Sequence, residues 1–295
     1  MRVLVTGGQG YLGSAVCHAL RAAGHQVAVL SRRTGVDVRD RNGVADLVKA
    51  TRPDAVCHLA GLTRARDSFA DPLTYFDVNV GGTLNVLLAL DRAVPFVLAS
   101  SSIVYGGQHT GPLREDLPVS PQSPYAAAKV AAEQVVAAHT ATGAVGGVVL
   151  RCFNVSGAVG GVGDADTARI IPNVLRAITG ELPHVTLNGD GSAMRDFVHV
   201  ADAAHAVVNA IGRARPGRSQ TYNIASGTGT SMAAIIKAAE GVTGKRVPVK
   251  HNPPAPEPPL LVADISKARA SLGWEPRSSG IDRILTDAWA AWPPA

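Results

Sequence analysis

Cysteine is scarce in this chain, which contains three cysteines among 295 residues. Cys17, Cys57 and Cys152 are too few and too widely separated for a disulfide framework or a structural zinc site. Each lies in an apolar stretch of sequence, so we expect three inert, buried thiols and no metal centre.

Long apolar segments are also missing. No run approaches the roughly 18 consecutive apolar residues that a membrane span requires. Glycines at positions 7, 8 and 10 interrupt the apolar N-terminal segment before it could resemble a targeting signal. We therefore expect a soluble cytoplasmic protein that has no membrane partner.

Charge of either sign is dispersed along the chain. There are 28 Lys and Arg against 23 Asp and Glu, which gives a formal net charge of +5. The local cluster Arg213, Arg215 and Arg218 lies beside Pro216 and Gly217, which is typical of a solvated loop. Because nucleic-acid binding usually needs a continuous basic surface, we expect no nucleic-acid partner, and a small anionic ligand remains possible.

Hydropathy alternation predicts an α/β fold, because short apolar segments alternate with longer amphipathic ones as in parallel βαβ units. Strands are predicted at 2–6, 26–30, 55–59, 95–100, 147–152, 195–200 and 221–224. Helices are predicted at 11–23, 44–51, 72–92, 125–142, 170–179 and 203–211, with a flexible loop at 157–163. We predict a doubly wound Rossmann sheet formed by 1–153 plus about 196–215. A smaller, discontinuous α/β substrate domain is predicted at about 154–195 and 216–295.

A glycine-rich turn joins the first predicted strand to the first predicted helix. In this turn Gly7 permits a tight bend, Gly10 lets the backbone approach a pyrophosphate, and Gly13 allows close packing of helix on sheet. The helix N-terminus supplies N–H groups and the positive end of a dipole for the anion. We predict a dinucleotide site with contacts from Gly7, Gly10, Tyr11, Leu12 and Gly13.

The end of the second predicted strand carries Ser31, Arg32 and Arg33. It has no carboxylate to hold the ribose 2′-hydroxyl of NAD, and two guanidinium groups beside a hydroxyl favour the 2′-phosphate of NADP. Solvated surface arginines are the alternative interpretation. Asp37 and Val38 are predicted to flank the adenine, by a hydrogen bond and an apolar contact, with ordinary loop chemistry as the alternative.

Two patterns predict a catalytic centre. Tyr125 and Lys129 are four residues apart and would share one face of a helix, where an ammonium group lowers the pKa of a phenol. Tyr125 is then the general base for oxidation of a hydroxyl and the acid for reduction of a carbonyl, while Lys129 holds the ribose hydroxyls. The serines at 100–102 follow a strand, where a serine either polarises the same oxygen or only caps the strand.

Several ordered segments together resemble the extended short-chain dehydrogenase/reductase superfamily, in its nucleotide-sugar epimerase/dehydratase branch. The resemblance covers nearly the whole chain and rests on the following residues: Val5-Thr6-Gly7-Gly8 with Gly10-Tyr11-Leu12-Gly13, His58-Leu59-Ala60-Gly61, Asn79-Val80-Gly81-Gly82-Thr83-Leu84-Asn85, Ser100-Ser101-Ser102 with Val104-Tyr105-Gly106, Ser123-Pro124-Tyr125 with Lys129, Leu150-Arg151-Cys152-Phe153-Asn154, Arg195-Asp196-Phe197-Val198-His199-Val200, Tyr222-Asn223-Ile224 and Ala263-Asp264-Ile265-Ser266-Lys267-Ala268.

This resemblance implies specific roles. It implies a catalytic triad of Ser101, Tyr125 and Lys129, and a homodimer built through the helices at 72–92 and 125–142. Core packing against the sheet explains the apolar spacing of these two helices equally well. Further cofactor contacts are implied for Leu59, Ala60, Gly61 and Asn79. Contacts with a nucleotide-diphosphate sugar are implied for Ser102, Phe153, Asn154 and Arg195. For Arg195, a clamp on the diphosphate suits a fork-shaped donor, with an ion pair to Asp196 or another carboxylate as the alternative.

The sequence also departs from the branch pattern. Ser102 and Ile103 stand where dehydratases of the branch have an Asp-Glu pair, and no cysteine lies in that segment, so 4,6-dehydration and thiol-dependent 6-dehydrogenation are disfavoured. Thr63 stands where epimerases often have Lys. Pro254 stands where a second diphosphate arginine is usual, with Lys250 or His251 as the nearest substitutes.

These features favour a nucleotide-sugar 4-epimerase that transfers a hydride transiently to a bound nicotinamide cofactor, which implies NAD. The alternative is an NADPH-dependent 4-ketoreductase of a nucleotide-linked deoxysugar, which the Ser31-Arg32-Arg33 segment favours. A non-catalytic, dinucleotide-sensing regulator on the same fold is disfavoured because Tyr125 and Lys129 are both present.

Overall fold

A six-stranded parallel sheet forms the centre of the computed structural model, which describes residues 1–255 and 258–293. Its strands are β1 (Arg2–Thr6), β2 (Gln26–Leu30), β3 (Ala55–His58), β4 (Val94–Ser101), β5 (Val145–Cys152) and β11 (Gln220–Ile224). Their spatial order is β11-β5-β4-β3-β1-β2, so the direction of winding reverses between β1 and β3. This arrangement confirms the predicted α/β class and opens a ligand crevice at the carboxyl edge of β1 and β3.

Both faces of this sheet are covered by helices because successive strand residues point to opposite sides. The helices around the sheet are α1 (Tyr11–Ala22), α2 (Arg41–Thr51), α3 (Pro72–Phe76), α4 (Gly82–Leu88), α5 (Pro124–Ala141) and α7 (Val200–Arg213). Val3 and Val5 pack with α1 and α7, whereas Leu4 packs on the opposite face with α2, α4 and α5.

A smaller lobe with its own apolar core lies beyond the carboxyl edge. Its core includes Val174, Leu175, Ile235 and Ile284. Its elements are β6 (Asn154–Ser156), β7 (Ala158–Val159), β8 (Val162–Gly163), α6 (Ile170–Ile178), β9 (Val185–Asn188), β10 (Met194–His199), β12 (Gly229–Ser231), α8 (Met232–Thr243), β13 (Val249–Asn252), β14 (Leu260–Leu261) and α9 (Ile281–Ala290). Across the two described ranges, no helix is both long enough and apolar enough to cross a lipid bilayer.

Several details differ from the sequence predictions. The predicted flexible loop at 157–163 contains the short antiparallel hairpin of β7 and β8. The predicted helix at 72–92 is interrupted by a π-helical turn at Asp77–Gly81 and ends at Leu88. Strand β11 lies within the stretch predicted for the smaller domain, yet it pairs with β5 along its whole length. Helices α8 and α9 lie beyond residue 224, where no element was predicted.

Candidate active site

The turn after β1 is closed tightly against the turn after β3. Gly7 has a φ of +71°, and a Cβ atom at this position would lie 2.8 Å from the backbone nitrogen of Ala60. A Cβ atom on Gly13 would lie 2.0 Å from the carbonyl oxygen of Gly7, so the first turn of α1 rests directly on the glycine turn. Gly10, the N-cap of α1, has no side chain to occupy the helix N-terminus. This geometry fits a dinucleotide whose pyrophosphate approaches the N-terminus of α1.

A buried chain of side chains fixes the two turns relative to each other. Thr6 Oγ1 lies 2.8 Å from His58 Nδ1 and accepts hydrogen bonds from the backbone N–H groups of Leu59 and Ala60. His58 Nε2 lies 3.1 Å from Thr83 Oγ1, whose own proton is donated to the Asn79 carbonyl. These partners assign the proton of His58 to Nε2 and leave Nδ1 as an acceptor. Burial lowers the pKa of His58 to about 3, so this histidine is a neutral structural group.

We expect this buried histidine to make the protein less stable in acid. Its folded-state pKa of about 3 lies below the value of about 6.5 for an unfolded chain, so the unfolded state binds the proton more readily. The free energy of unfolding is not reduced by this histidine above pH 6.5. Below that pH it falls by about 1.4 kcal/mol per pH unit as the unfolded chain takes up the proton. Urea unfolding at pH 7 and pH 5 measures this slope. We expect His58→Gln to remove that part of the slope and His18→Gln, at an exposed position, to retain it.

Helix α5 places Tyr125 and Lys129 at the carboxyl edge of the large sheet. Ser123 caps the helix by accepting a hydrogen bond from the Ala126 N–H at 3.1 Å. The backbone N–H of Tyr125 donates to Ser68 Oγ at 3.1 Å, which joins this end of the helix to the loop after β3. One turn later, Lys129 Nζ donates to the Ala99 carbonyl of β4 at 2.9 Å. Both side chains are 6% exposed, so the pair is almost closed off from bulk water.

Ser101 completes the cluster from the sheet side. It is the last residue of β4 and the N-cap of a 3₁₀ turn at Ser102–Tyr105, and its hydroxyl accepts a hydrogen bond from the Ile103 N–H at 3.4 Å. The same hydroxyl interacts with the phenol of Tyr125. The structure therefore brings Ser101, Tyr125 and Lys129 together where a substrate oxygen would meet two hydroxyl groups.

Burial governs the acid–base properties of this cluster. Burial raises the pKa of Tyr125, although the hydrogen bond with Ser101 and the charge of Arg169 act in the opposite direction. The sequence prediction of a lowered tyrosine pKa is therefore wrong for the protein alone, because the loss of hydration outweighs the nearby favourable groups. Burial also lowers the pKa of Lys129 to about 8, against the opposing effects of Cys152 and Glu133. A cationic ligand ring beside the phenol would move the tyrosine pKa downwards.

Of the residues predicted to hold the adenosine end, Ser31 and Arg33 lie at the end of β2 beside the glycine turn. Ser31 Oγ donates to Gln9 Oε1 at 2.6 Å and accepts from the Thr34 N–H, so its hydroxyl already has partners. Arg33 lines a cavity of about 380 Å³, whereas Arg32 lies at the exposed start of a 3₁₀ turn. The other lining residues of that cavity are Gly8, Gln9, Ser14, Cys17, Arg21 and Val29.

The two residues predicted to flank the adenine have other contacts. The Asp37 carboxylate accepts hydrogen bonds from the backbone and the guanidinium of Arg39, which lower the pKa of that carboxyl. Val38 is 6% exposed and belongs to the apolar core on one face of the sheet. An Asp37 hydrogen bond to adenine would therefore have to compete with the ion pair to Arg39.

Asn79 lies in the π-helical turn and holds the loop that follows β3. Its Oδ1 accepts from the Leu62 N–H at 2.8 Å, and its Nδ2 donates to the Leu62 carbonyl at 3.1 Å. Gly61 lies between this amide and the ammonium group of Lys129. Asn79 therefore fixes the backbone of Leu62 and, with it, the position of Gly61 beside Lys129.

Three of the predicted substrate residues lie on or next to the paired strands β6 and β10. Phe153 is buried, and Asn154 Nδ2 donates to the Asp196 carbonyl at 2.8 Å. Arg195 Nη1 donates to the Met194 carbonyl at 2.8 Å and to the Pro258 carbonyl at 2.9 Å. The Asp196 carboxylate accepts hydrogen bonds from Ser226, Gly227 and Ala263.

Sequence reasoning missed a cation beside the cluster. Arg169 is the N-cap of α6, and its Nη1 lies 3.0 Å from Asp164 Oδ2. The positive charge of Arg169 acts to lower the pKa of Tyr125, against the larger effect of burial. A second arginine, Arg64 in the loop after β3, lies 3.0 Å from Asp166, which links the two sides of the cleft. No periodic pattern marks 164–169, so only the fold could reveal this contact.

Comparisons with known proteins agree with the fold described above. The model of the NAD dependent epimerase/dehydratase family matches residues 3–225. A UDP-glucose 4-epimerase of Lacticaseibacillus casei is 34% identical over 319 residues, covering 98% of this chain and 96% of its own. The crystal structure of the UDP-glucose 4-epimerase from Stenotrophomonas maltophila, with bound NAD and formylated UDP-arabinopyranose, has a TM-score of 0.91 at 33% identity and covers 99% and 97% of the two chains. The enzyme from Brucella ovis in complex with NAD also has a TM-score of 0.91, at 29% identity, with 98% and 97% coverage.

Proposed function

Since the chain belongs to the NAD-dependent epimerase/dehydratase family, we propose that it is a nucleotide-sugar 4-epimerase that interconverts UDP-glucose and UDP-galactose. The observation that carries this proposal is the convergence of Ser101, Tyr125 and Lys129 beside a dinucleotide turn. The relatives compared above are UDP-glucose 4-epimerases, and the match covers nearly the full length of each. This favours 4-epimerisation over the reaction of a 4-ketoreductase.

The catalytic residues act on the C4 hydroxyl. Tyr125 removes the hydroxyl proton while the C4 hydrogen leaves as hydride, and it returns the proton when the 4-keto sugar is reduced on its other face. Ser101 donates a hydrogen bond to the same oxygen and keeps it within reach of the phenol. Lys129 places a positive charge one turn from Tyr125 and favours the phenolate during proton removal.

Bound NAD supplies the acceptor and then the donor of the hydride, so oxidation and reduction balance without an external reagent. The residues present fit this cofactor at the glycine turn, because Gly7 and Gly13 let the turn pack closely on its neighbours and Gly10 leaves the N-terminus of α1 without a side chain. We propose that Lys129 also holds the ribose hydroxyls and that Arg195 and Asn154 bind the substrate diphosphate. We propose a cofactor unit of 1–153 and about 196–215, extended by β11, and a substrate unit of the remaining C-terminal segments, so that the boundary between the two units falls within β10.

The nucleotide released by the denatured protein tests this assignment. An epimerase recycles its cofactor on every turnover, so we expect chromatography and mass spectrometry to identify NAD in a ratio near one per chain. The same preparation should interconvert UDP-glucose and UDP-galactose without added nucleotide. An empty protein that prefers NADPH to NADH, and reduces a 4-keto sugar only with that reagent, would contradict the proposal and support the role predicted for Arg32 and Arg33.

An exposed apolar stripe supports a homodimer. Phe69, Leu73, Phe76, Leu84 and Leu88 are 38–79% exposed and run along α3 and α4 and the turn before them. The neighbouring helix α5 presents small residues to solvent, among them Ala138. Contiguous apolar surface of this kind marks an interface, and small side chains allow two helices to approach closely. We propose a two-fold dimer in which α3, α4 and α5 pack against their copies.

Replacing one residue of this stripe should separate the subunits. We expect Leu73→Glu, at a side chain that is 79% exposed, to shift the protein from dimer to monomer, because two buried carboxylates would face each other across a two-fold axis. Val162→Glu is the matched control, since Val162 is an exposed apolar residue on the hairpin of the smaller lobe. Sedimentation velocity measures both variants. A wild-type protein that is monomeric at micromolar concentration would contradict the proposed dimer.

A further inference from the structure

A buried ion pair outside the triad joins α5 and β4, which carry the triad residues, to the neighbouring strand β5. Glu133 of α5 is 8% exposed and Arg151 of β5 is 7% exposed. The guanidinium donates from Nη2 to Glu133 Oε2 at 2.7 Å and from Nε to Oε1 at 3.1 Å. The hydroxyl of Ser100 on β4 donates to Glu133 Oε1. One carboxylate therefore fastens the catalytic helix to the ends of both strands beneath it.

These contacts lie one residue or one turn from the catalytic groups. Ser100 directly precedes Ser101, and it is paired with Arg151 in the register of β4 and β5. Glu133 follows Lys129 by four residues, so the two side chains share one face of α5. A movement of the Glu133 carboxylate would therefore be transmitted to the serine through β4 and to the lysine through the helix.

Arg151 also secures the turn that follows Ser101. Its guanidinium carbon lies 4.8 Å from the centre of the Tyr105 ring, at the end of that 3₁₀ turn. The Tyr105 hydroxyl donates to Asn223 Oδ1 of β11 at 2.7 Å, and Asn223 Nδ2 donates to the Leu113 carbonyl at 2.8 Å. Ser101 is thus held on both sides by groups that depend on one ion pair.

We propose that Glu133 is a positioning residue for the epimerase reaction, which holds Ser101 and Lys129 in register through Ser100 and Arg151. This inference rests on the proposed function. A second consequence is electrostatic, since Glu133 supports the ammonium form of Lys129 while burial opposes it. The other titratable groups facing Lys129 are Cys152 of β5 and His58 of β3, and Tyr125 lies on the same helix.

Two substitutions separate the mechanical role from the electrostatic one. Glu133→Gln keeps hydrogen-bonding atoms but removes the charge, so we expect the Lys129 pKa to fall by about half a unit or more and kcat to fall about tenfold. The basic limb of the kcat profile should then move to lower pH, because the ammonium is lost sooner. Ser100→Ala keeps the charge of Glu133 and removes the hydrogen bond from Ser100 to that carboxylate. We therefore expect kcat to fall several-fold and the Lys129 titration to stay unchanged. KM should change little in both variants.

The Lys129 titration can be followed without substrate. The chain has six lysines, so ¹³C-lysine labelling gives few ε-carbon signals, and Lys129→Arg assigns the relevant one. Glu181→Gln is the matched control, because Glu181 is an exposed acid whose partner is Arg176 in the smaller lobe. We expect this control to match the wild type in kcat and in the titration.

Wild-type kcat and an unshifted Lys129 titration in folded Glu133→Gln would overturn the proposal. If that variant does not fold, wild-type kcat in Ser100→Ala overturns it. A fall in thermal midpoint alone, with unchanged kcat at a temperature where the variants are folded, would reduce the ion pair to a structural role and also overturn it. A wild-type protein without epimerase activity would refute the proposed function instead, and the titration would still decide whether Glu133 controls Lys129.

Discussion

Tyr125→Phe should lower kcat for the UDP-galactose to UDP-glucose reaction by about 10²–10⁴-fold, the usual contribution of a positioned acid–base group. The substitution removes the hydroxyl that interacts with Ser101 and leaves the buried ring in place. We expect KM to change by no more than a few-fold, because the binding contacts assigned to Asn154 and Arg195 are untouched. Steady-state kinetics with a coupled UDP-glucose assay measure both parameters.

Tyr75→Phe is the matched control for this substitution. The Tyr75 ring packs edge-on against the Tyr125 ring at a centroid distance of 6.1 Å, and its hydroxyl donates to the Arg64 carbonyl at 2.6 Å. Its loss should cost about 1 kcal/mol of stability, as for a typical hydrogen bond, and leave kcat near the wild-type value. Equal kcat in Tyr125→Phe and the wild type would show that another group moves the proton.

Gly13→Ala should abolish nucleotide binding and destabilise the fold by about 3 kcal/mol, the upper end of the usual range for overpacking. The added Cβ atom would lie 2.0 Å from the Gly7 carbonyl oxygen. It would also lie 2.8 Å from the Gly7 carbonyl carbon and from the Gly8 Cα, which are both backbone atoms. Because no flexible side chain can move aside, α1 must shift away from the glycine turn. Urea unfolding and the NAD content of the purified variant measure the two effects.

Gly212→Ala is the corresponding control on another helix. Gly212 lies within α7, and a Cβ atom there would meet nothing within 4 Å. Alanine is favoured over glycine in a helix by about 1 kcal/mol, so this variant should be as stable as the wild type or slightly more so, with normal NAD content. Loss of NAD in both variants to the same degree would contradict the special role of Gly13.

The succession of strands and helices in the first half of the chain could be predicted because each strand is a short apolar run bounded by turn residues. Strands β1 and β2 have the predicted bounds, and Tyr125 and Lys129 lie on one helix as their spacing predicted. Ser101, which only the family resemblance distinguished from its neighbours, is the last residue of β4. The elements of the smaller lobe were harder to predict from the sequence. Its strands of two to four residues, such as β12 and β14, are too short for a period to be recognised and depend on pairing with β10.

The electrostatics of the site could not be predicted from spacing alone. The i,i+4 relation of Tyr125 and Lys129 gave the expectation of a lowered tyrosine pKa, but that relation contains no information on burial. The ion pair of Glu133 and Arg151 was equally hidden, although Arg151 belongs to a segment that carried the family resemblance. Both require knowledge of which side chains the sheet and α5 enclose.

The fate of the hydrogen at C4 tests the central claim most directly. UDP-galactose carrying deuterium at C4 would be incubated with the purified protein in ordinary water, without added nucleotide, and the sugar products analysed by NMR and mass spectrometry. We predict UDP-glucose that retains the deuterium at C4, because the hydride leaves and returns within one closed site while the proton on O4 exchanges through Tyr125. Loss of the deuterium to solvent, or no conversion at all without added NADPH, would contradict the account.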